Sequence, residues 1–230
     1  TACLDIAVYS LAADPAAFGR RIAFVVDRRL IVDQTVTRAM RLAELLNDAV
    51  GDDPSSAIGA VASRLAELSA PTGARRVALD VGRLRGGVGG SDVDAAQWQR
   101  WPDQPAVIVS TVDQIGSRLL FRGYGVGSRM QPIHAGLTGN DCLVLLDEVH
   151  ISAPLAETLT DLAEAFDSVR EPLPRRWQFV QMSATPIGDP PRRFSLEPRH
   201  VEPGSDLARV VAARKLARLV AIGKPRQPQA

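Results

Sequence analysis

Four residues carry the strongest chemical signal in the chain: Asp147-Glu148-Val149-His150, directly after the apolar run Leu143–Leu146. A continuous apolar run of this length predicts a strand buried on both faces of a parallel sheet. In an open α/β sheet, ligands bind at the carboxyl edge of the strands, and that is where the two adjacent carboxylates emerge. A carboxylate there can hold a magnesium ion bridging the β- and γ-phosphates of a nucleotide, a role that suits Asp147. Glu148, one residue on, is placed to orient or deprotonate an attacking water. His150 lies just beyond, where it can sense the γ-phosphate region and a second domain. A chance D-E-x-H arises in roughly 3% of chains this long, and the preceding strand lowers that considerably.

A second constellation begins 36 residues after Asp147, where Phe179-Val180-Gln181-Met182 runs into Ser183-Ala184-Thr185. Small hydroxyl residues at a strand's end can hydrogen-bond a neighbouring loop without bulk; alone, such a tripeptide is also an ordinary turn or helix cap. Thr111 and Gln114 stand at another strand-to-helix junction. A hydroxyl and an amide at a helix N-terminus suit phosphate binding, although Thr111 also reads as a simple N-cap.

The elements that must position these groups follow from hydrophobic periodicity. Apolar runs at Ile22–Val26, Val77–Leu79, Ala106–Val109, Leu143–Leu146 and Phe179–Met182 predict buried parallel strands. Helical spacing appears in Leu4–Leu11, Gln34–Leu46, Ser56–Leu68, Val112–Phe121 and Pro154–Val169. The alternation predicts a mostly parallel, doubly wound α/β sheet with helices on both faces. Gly82–Gly90 is too glycine-rich for a helix or central strand and reads as a loop, as does Gly123–Gly139 with its five glycines. Asp189–Pro203 holds four prolines and reads as an exit segment, followed by a basic helix over Asp206–Ile222. The expected division is one domain over residues 1–203, with a basic helix and tail over 204–230. There is no internal repeat.

Composition bounds the partners. With 27 Lys and Arg against 26 Asp and Glu, the net charge of +1 gives no sequence-wide field for nucleic acid. All but two of the cations are arginine, which reflects either a GC-rich genome or bidentate phosphate binding. No apolar run reaches the roughly 18 residues that cross a bilayer, and no membrane partner is expected. No signal peptide is visible, so the expected location is the cytoplasm. Cys3 and Cys142 sit among apolar residues and read as buried thiols in a reducing compartment.

DEVH followed by SAT at this separation resembles motifs II and III of superfamily-2 helicases. Residues 22–35, IAFVVDRRLIVDQT, resemble motif Ia, which implies phosphate contacts from Arg28, Arg29 and Gln34; a solvated strand-to-helix turn is the plain reading of the same residues. LRGGVGG, residues 84–90, resembles the glycine loop of motif Ib, in which Arg85, Gly86 and Gly87 let bare backbone approach a phosphate; a flexible loop is the plain reading. Together with Trp98–Pro105, STVDQIGSRLLFRGYGVG and PIHAGL, these segments resemble the CRISPR-associated helicase–nuclease of type I systems, notably the I-U or I-G variant. The likeness spans about residues 1–200.

That resemblance implies a RecA-like P-loop NTPase fold, incomplete at the N-terminus. It also implies ATP and magnesium as cofactors and 3′-to-5′ translocation on single-stranded DNA. The implied partners are a Cascade-type surveillance complex, a second RecA-like domain and an HD nuclease domain. No G-x-x-x-x-G-K-[ST] occurs in the chain, yet TACLDIAVYSLA resembles the helix that follows a P-loop. Thr1 is therefore expected to be the hydroxyl that ligates magnesium, with Asp147 opposite. The chain, starting with Thr, is expected to be a fragment. His134 and His200 are expected at the surface or in loops, with no metal spacing between them. Two alternatives stay open: another superfamily-2 motor, such as a general helicase or restriction translocase, and a non-catalytic scaffold with a helicase fold.

Overall fold

The computed structural model describes residues 2–69, 77–86, 97–168, 177–183 and 192–213. Its centre is a five-stranded, all-parallel sheet in the order β2-β3-β1-β4-β5. The strands are β1 (Arg21–Val26), β2 (Asp80–Leu84), β3 (Ala106–Thr111), β4 (Cys142–Asp147) and β5 (Gln178–Met182). Around them lie α1 (Ala2–Ala13), α2 (Arg29–Asp48), α3 (Ala57–Glu67), α4 (Gln97–Arg100), α5 (Val112–Leu119), α6 (Gln131–Gly139) and α7 (Ala153–Asp167). This is the doubly wound α/β class that the sequence predicts, and it is compatible with a RecA-like domain.

Strand alternation sorts the core into two layers. Ile22, Phe24 and Val26 of β1, with Leu143 and Leu145 of β4, pack beneath α1, α2 and α3. Ala23, Val25, Val144 and Leu146 point the other way, into α5 and α7. The chain leaves β1 toward one edge through α2 and α3. It moves from β3 to β4 and on to β5 in the opposite direction, through helices of the other face. Crossovers of a single hand that run in opposite directions must use opposite faces, so the two layers follow from the strand order.

The lower edge of the sheet is clamped where β1 and β4 begin. Arg21 is buried, and its guanidinium donates to the carbonyls of Leu137 (2.8 Å), Asn140 (2.8 Å) and Pro102. Asp141, in the left-handed region at φ 51°, accepts from the Arg20 amide at 2.9 Å and lies 3.8 Å from Arg21. Gly19 passes so close that a Cβ would stand 2.5 Å from the Cys142 amide nitrogen. These contacts fix the register Arg21↔Cys142, and with it the heights at which β1 and β4 end.

The structure corrects several expectations. Val77–Leu79 is not a strand, because Asn47 takes its backbone groups: the side-chain oxygen accepts from the Ala78 and Leu79 amides, and its NH2 donates to the Leu79 carbonyl. The strand begins at Asp80 instead and runs through Gly82, where the absent side chain lets the Trp98 ring pack (a Cβ would lie 3.1 Å from it). Gly123–Gly139 is not all loop: α6 starts at Gln131 with Pro132 in its first turn, where a missing amide costs nothing. β5 is an edge strand among the described residues and is half-exposed, unlike β1, β3 and β4. Cys142 is buried as expected, its thiol pushed up to about 12 by burial, but Cys3 is only half-buried at the margin of the core.

Residues 1–187 form one compact unit and residues 188–230 a second. In the second, α8 (Asp206–Ala212) is capped by Ser205, whose hydroxyl accepts from the Ala208 amide at 3.1 Å. The helix stops at Ala212 because Ala213 is extended; the remainder of the helix expected as far as Ile222 lies outside the described residues. His200 is exposed, as expected, and stacks on Phe194. His134 is the opposite of the expectation: α6 turns it into the interior, 3% exposed, against the Trp98 ring.

Candidate functional site

β4 delivers its last residue, Asp147, half-buried to the upper edge of the sheet. The turn that follows is built around Val149. Val149 is buried among Leu155, Ala156 and Leu159 at the start of α7, which pins the short 3-10 turn Val149–Ile151 to the core. With Val149 turned inward, its neighbours Glu148 and His150 are turned out and exposed. Glu148 reaches this arrangement in the left-handed region, at φ 52° and ψ 50°. A non-glycine residue there costs on the order of 1 kcal/mol or more, and such strain collects at working sites.

The electrostatics of Asp147 bear on magnesium. Its pKa is raised, first by burial and also by the neighbouring Glu148 carboxylate; the hydrogen bond from the Glu148 amide to Oδ1 (3.1 Å) pulls the other way. A half-buried carboxylate disfavoured as an anion is relieved by a cation. Magnesium commonly binds through one or two carboxylates, the remaining positions going to water and phosphate. The chemistry of Asp147 therefore fits the ion, and no cluster of three His, Cys, Asp or Glu side chains exists among the described residues to suggest an all-protein metal cage.

His150 joins the two sequence motifs. Its Nδ1 shares a hydrogen bond of 3.1 Å with Ser183 Oγ at the end of β5 and lies 3.3 Å from Glu148 Oε2. The parallel pairing of β4 with β5, which sets Asp147 beside Met182, is what brings residues 33 apart into contact. No family model, curated protein or solved structure matches this chain. Ala184, Thr185, Gly87 and Thr1 lie outside the described residues.

The strand-to-helix junctions of β1, β2 and β3 form a second group on the same upper edge. Arg28, Arg29 and Gln34 are exposed after β1. Arg85, after β2, donates to Asp33 at 2.6 Å, so its charge is already partly matched by a carboxylate of α2. Thr111 caps α5 in backbone conformation, without a side-chain cap bond, and is buried. Its hydroxyl is thus less available to a phosphate than the sequence suggested. Gln114 is also buried, and Arg118 Nη1 donates to its Oε1 at 2.5 Å and to its main-chain oxygen at 3.0 Å. Arg118 was not among the sequence candidates, although its i,i+4 spacing from Gln114 is the signal that could have found it.

Three of these residues meet. A Cβ built on Gly86 would stand 3.4 Å from Gln114 Nε2 and 3.6 Å from Arg29 Nη2. Gly86, Gln114 and Arg29 come from three different strand ends, and only the sheet order β2-β3-β1 makes them neighbours. No helix among the described residues is long and apolar enough to cross a membrane.

Proposed function

We propose that this chain is the front half of an ATP-driven, superfamily-2 type DNA motor that serves type I CRISPR interference in the cytoplasm. The observation that carries the reading is the 3.1 Å hydrogen bond between His150 and Ser183. It connects the carboxylate turn, where a γ-phosphate would be sensed, to the end of the next strand, so a change at one is felt at the other.

In this reading Asp147 holds magnesium together with Thr1, and the ion, when bound, neutralises charge on the β- and γ-phosphates. Glu148, exposed beside it, orients or deprotonates the attacking water. The strained turn keeps that carboxylate out of the core, and His150 holds its orientation through the 3.3 Å contact. Arg28, Arg29, Gln34, Arg85, Gly86, Thr111 and Gln114 line the edge that tracks single-stranded DNA, and Gly87 is assigned to the same role from its sequence alone. This reading calls for a P-loop lysine, a second RecA-like domain and an HD nuclease as partners of the chain. Cascade-marked DNA is the substrate class.

The test is ATP hydrolysis by the complete gene product, with and without single-stranded DNA. DNA-stimulated turnover is expected, and Glu148→Gln should retain nucleotide binding while losing hydrolysis. The 230-residue chain alone should turn over little or no ATP, because a site with one wall lacks most of the electrostatic stabilisation of phosphoryl transfer. Absence of turnover in the complete protein would favour a scaffold, and unwinding indifferent to Cascade would favour a general helicase.

A further inference from the structure

Gln114 is a carboxamide only 7% exposed, and its orientation is decided by a single neighbour. Arg118, 4% exposed, donates Nη1 to Gln114 Oε1 at 2.5 Å and to the Gln114 main-chain oxygen at 3.0 Å. A guanidinium has donors and no acceptor, so the amide must turn its oxygen toward Arg118 and its NH2 away. Away from Arg118, Nε2 has no acceptor among the described residues; the point where a Gly86 Cβ would stand lies 3.4 Å from it and 3.6 Å from Arg29 Nη2. Two donor groups, one charged, therefore flank the same spot, which the glycine leaves empty. An anionic oxygen suits that spot.

The opposite rotamer would undo the site. With the amide flipped, an acceptor oxygen would replace the NH2 beside that spot, removing one of the two donors and repelling an incoming phosphate oxygen. Both orientations are similar in shape, which means that packing alone does not choose between them. Arg118 does. We propose that Arg118 is a positioning residue: it never touches nucleic acid, and it acts by holding the Gln114 amide in the donor-outward orientation that, with Arg29, receives a phosphodiester oxygen of single-stranded DNA. The inference rests on the nucleic-acid reading of this edge given above.

The experiment measures binding of a fluorescent oligothymidylate to the 230-residue chain by anisotropy, with urea unfolding of each variant as a parallel readout. Gln114→Leu should weaken binding roughly tenfold, the scale of one lost hydrogen bond to a charged group. Arg118→Met should weaken it by a similar factor, and the double variant should be no weaker than Gln114→Leu alone, because Arg118 acts only through the amide. Arg118→Lys, which keeps a donor-only group, should restore most of the affinity. Gln114→Glu keeps the pairing with Arg118 but turns a carboxylate oxygen outward, so it should bind more weakly than Gln114→Leu while remaining folded. Losses that multiply in the double variant, or Gln114→Glu binding as wild type does, would overturn the inference while leaving the nucleic-acid reading intact. A wild-type chain that binds no oligothymidylate would overturn that reading, and this inference with it.

Discussion

Acidification should weaken the fold through one side chain in particular, His134. Its ring is 3% exposed, packs on Trp98 with centroids 5.4 Å apart, and has no hydrogen-bond partner at either nitrogen among the described residues. Burial, and then the charge of Arg118, push its pKa from 6.5 down to about 4. The folded protein thus binds a proton less readily than the unfolded chain. Stability is fully present above the unfolded value and is lost as pH falls from about 6.5 toward 4. Linkage puts the loss from this group at roughly 2 kcal/mol between about pH 7 and about pH 4.5. That is a sizeable part of the ~5–15 kcal/mol by which domains are ordinarily stable. The measurement is urea unfolding at both pH values, followed by tryptophan fluorescence, for wild type and His134→Leu. The variant gives up an aromatic contact of about 1 kcal/mol and sheds two unpaired polar atoms worth about 1–3 kcal/mol, so near pH 7 it should be as stable as wild type or up to about 2 kcal/mol more stable. Carboxylates titrate in both, and the difference between the two pH-dependent losses isolates the histidine. Equal losses in wild type and variant would refute the reasoning.

Two further outcomes follow from the sheet's edges. Asp147→Asn should stabilise the protein in metal-free buffer near neutral pH. The raised pKa of Asp147 means that its favourable contribution is complete only below the ordinary carboxylate range and is lost as pH rises through the folded value, leaving the ionised group as a cost; a lower urea midpoint for the variant would contradict this. Gly19→Ala should destabilise by about 3 kcal/mol or more, because its Cβ would meet backbone atoms of Asp141 and Cys142 at 2.5–2.8 Å and no flexible side chain can yield; an unfolding midpoint close to wild type would show that the β1–β4 clamp is looser than described.

The fold class and the carboxylate turn were legible because each rests on a local pattern. Ile22–Val26 and Leu143–Leu146 are buried as their composition demands, and the two carboxylates emerge where a parallel strand must end. What sequence could not show was decided by partners distant in the chain. Asn47 keeps residues 77–79 out of the sheet, Trp98 draws the glycine-rich stretch around Gly82 into it, and both effects depend on contacts well outside any local window. His134 looked like a loop residue because Gly136 and Gly139 dilute the helical pattern of α6, whereas Ala135, Leu137 and Thr138 beside it are buried. The edge residues were found as three separate candidates; that Arg29, Gly86 and Gln114 converge follows only from the strand order.

The two groups on the upper edge differ in how they are held, and the difference bears on what each can do. The carboxylate turn is over-determined: β4 fixes Asp147, the core fixes Val149, and Glu148 bridges them in a strained left-handed conformation. In the proposed reading, a carboxylate held beside a phosphate and exposed to water needs that rigidity. The junction edge is held by side-chain hydrogen bonds instead, Arg118 to Gln114 and Arg85 to Asp33, and at the exposed Arg85 pair a competing anion can exchange one partner for another. A rigid turn suits chemistry at one fixed point. In the proposed reading, the exchangeable Arg85 pair suits a polymer that must be gripped and released, and His150, bonded to Ser183, links the carboxylate turn to the end of the neighbouring strand.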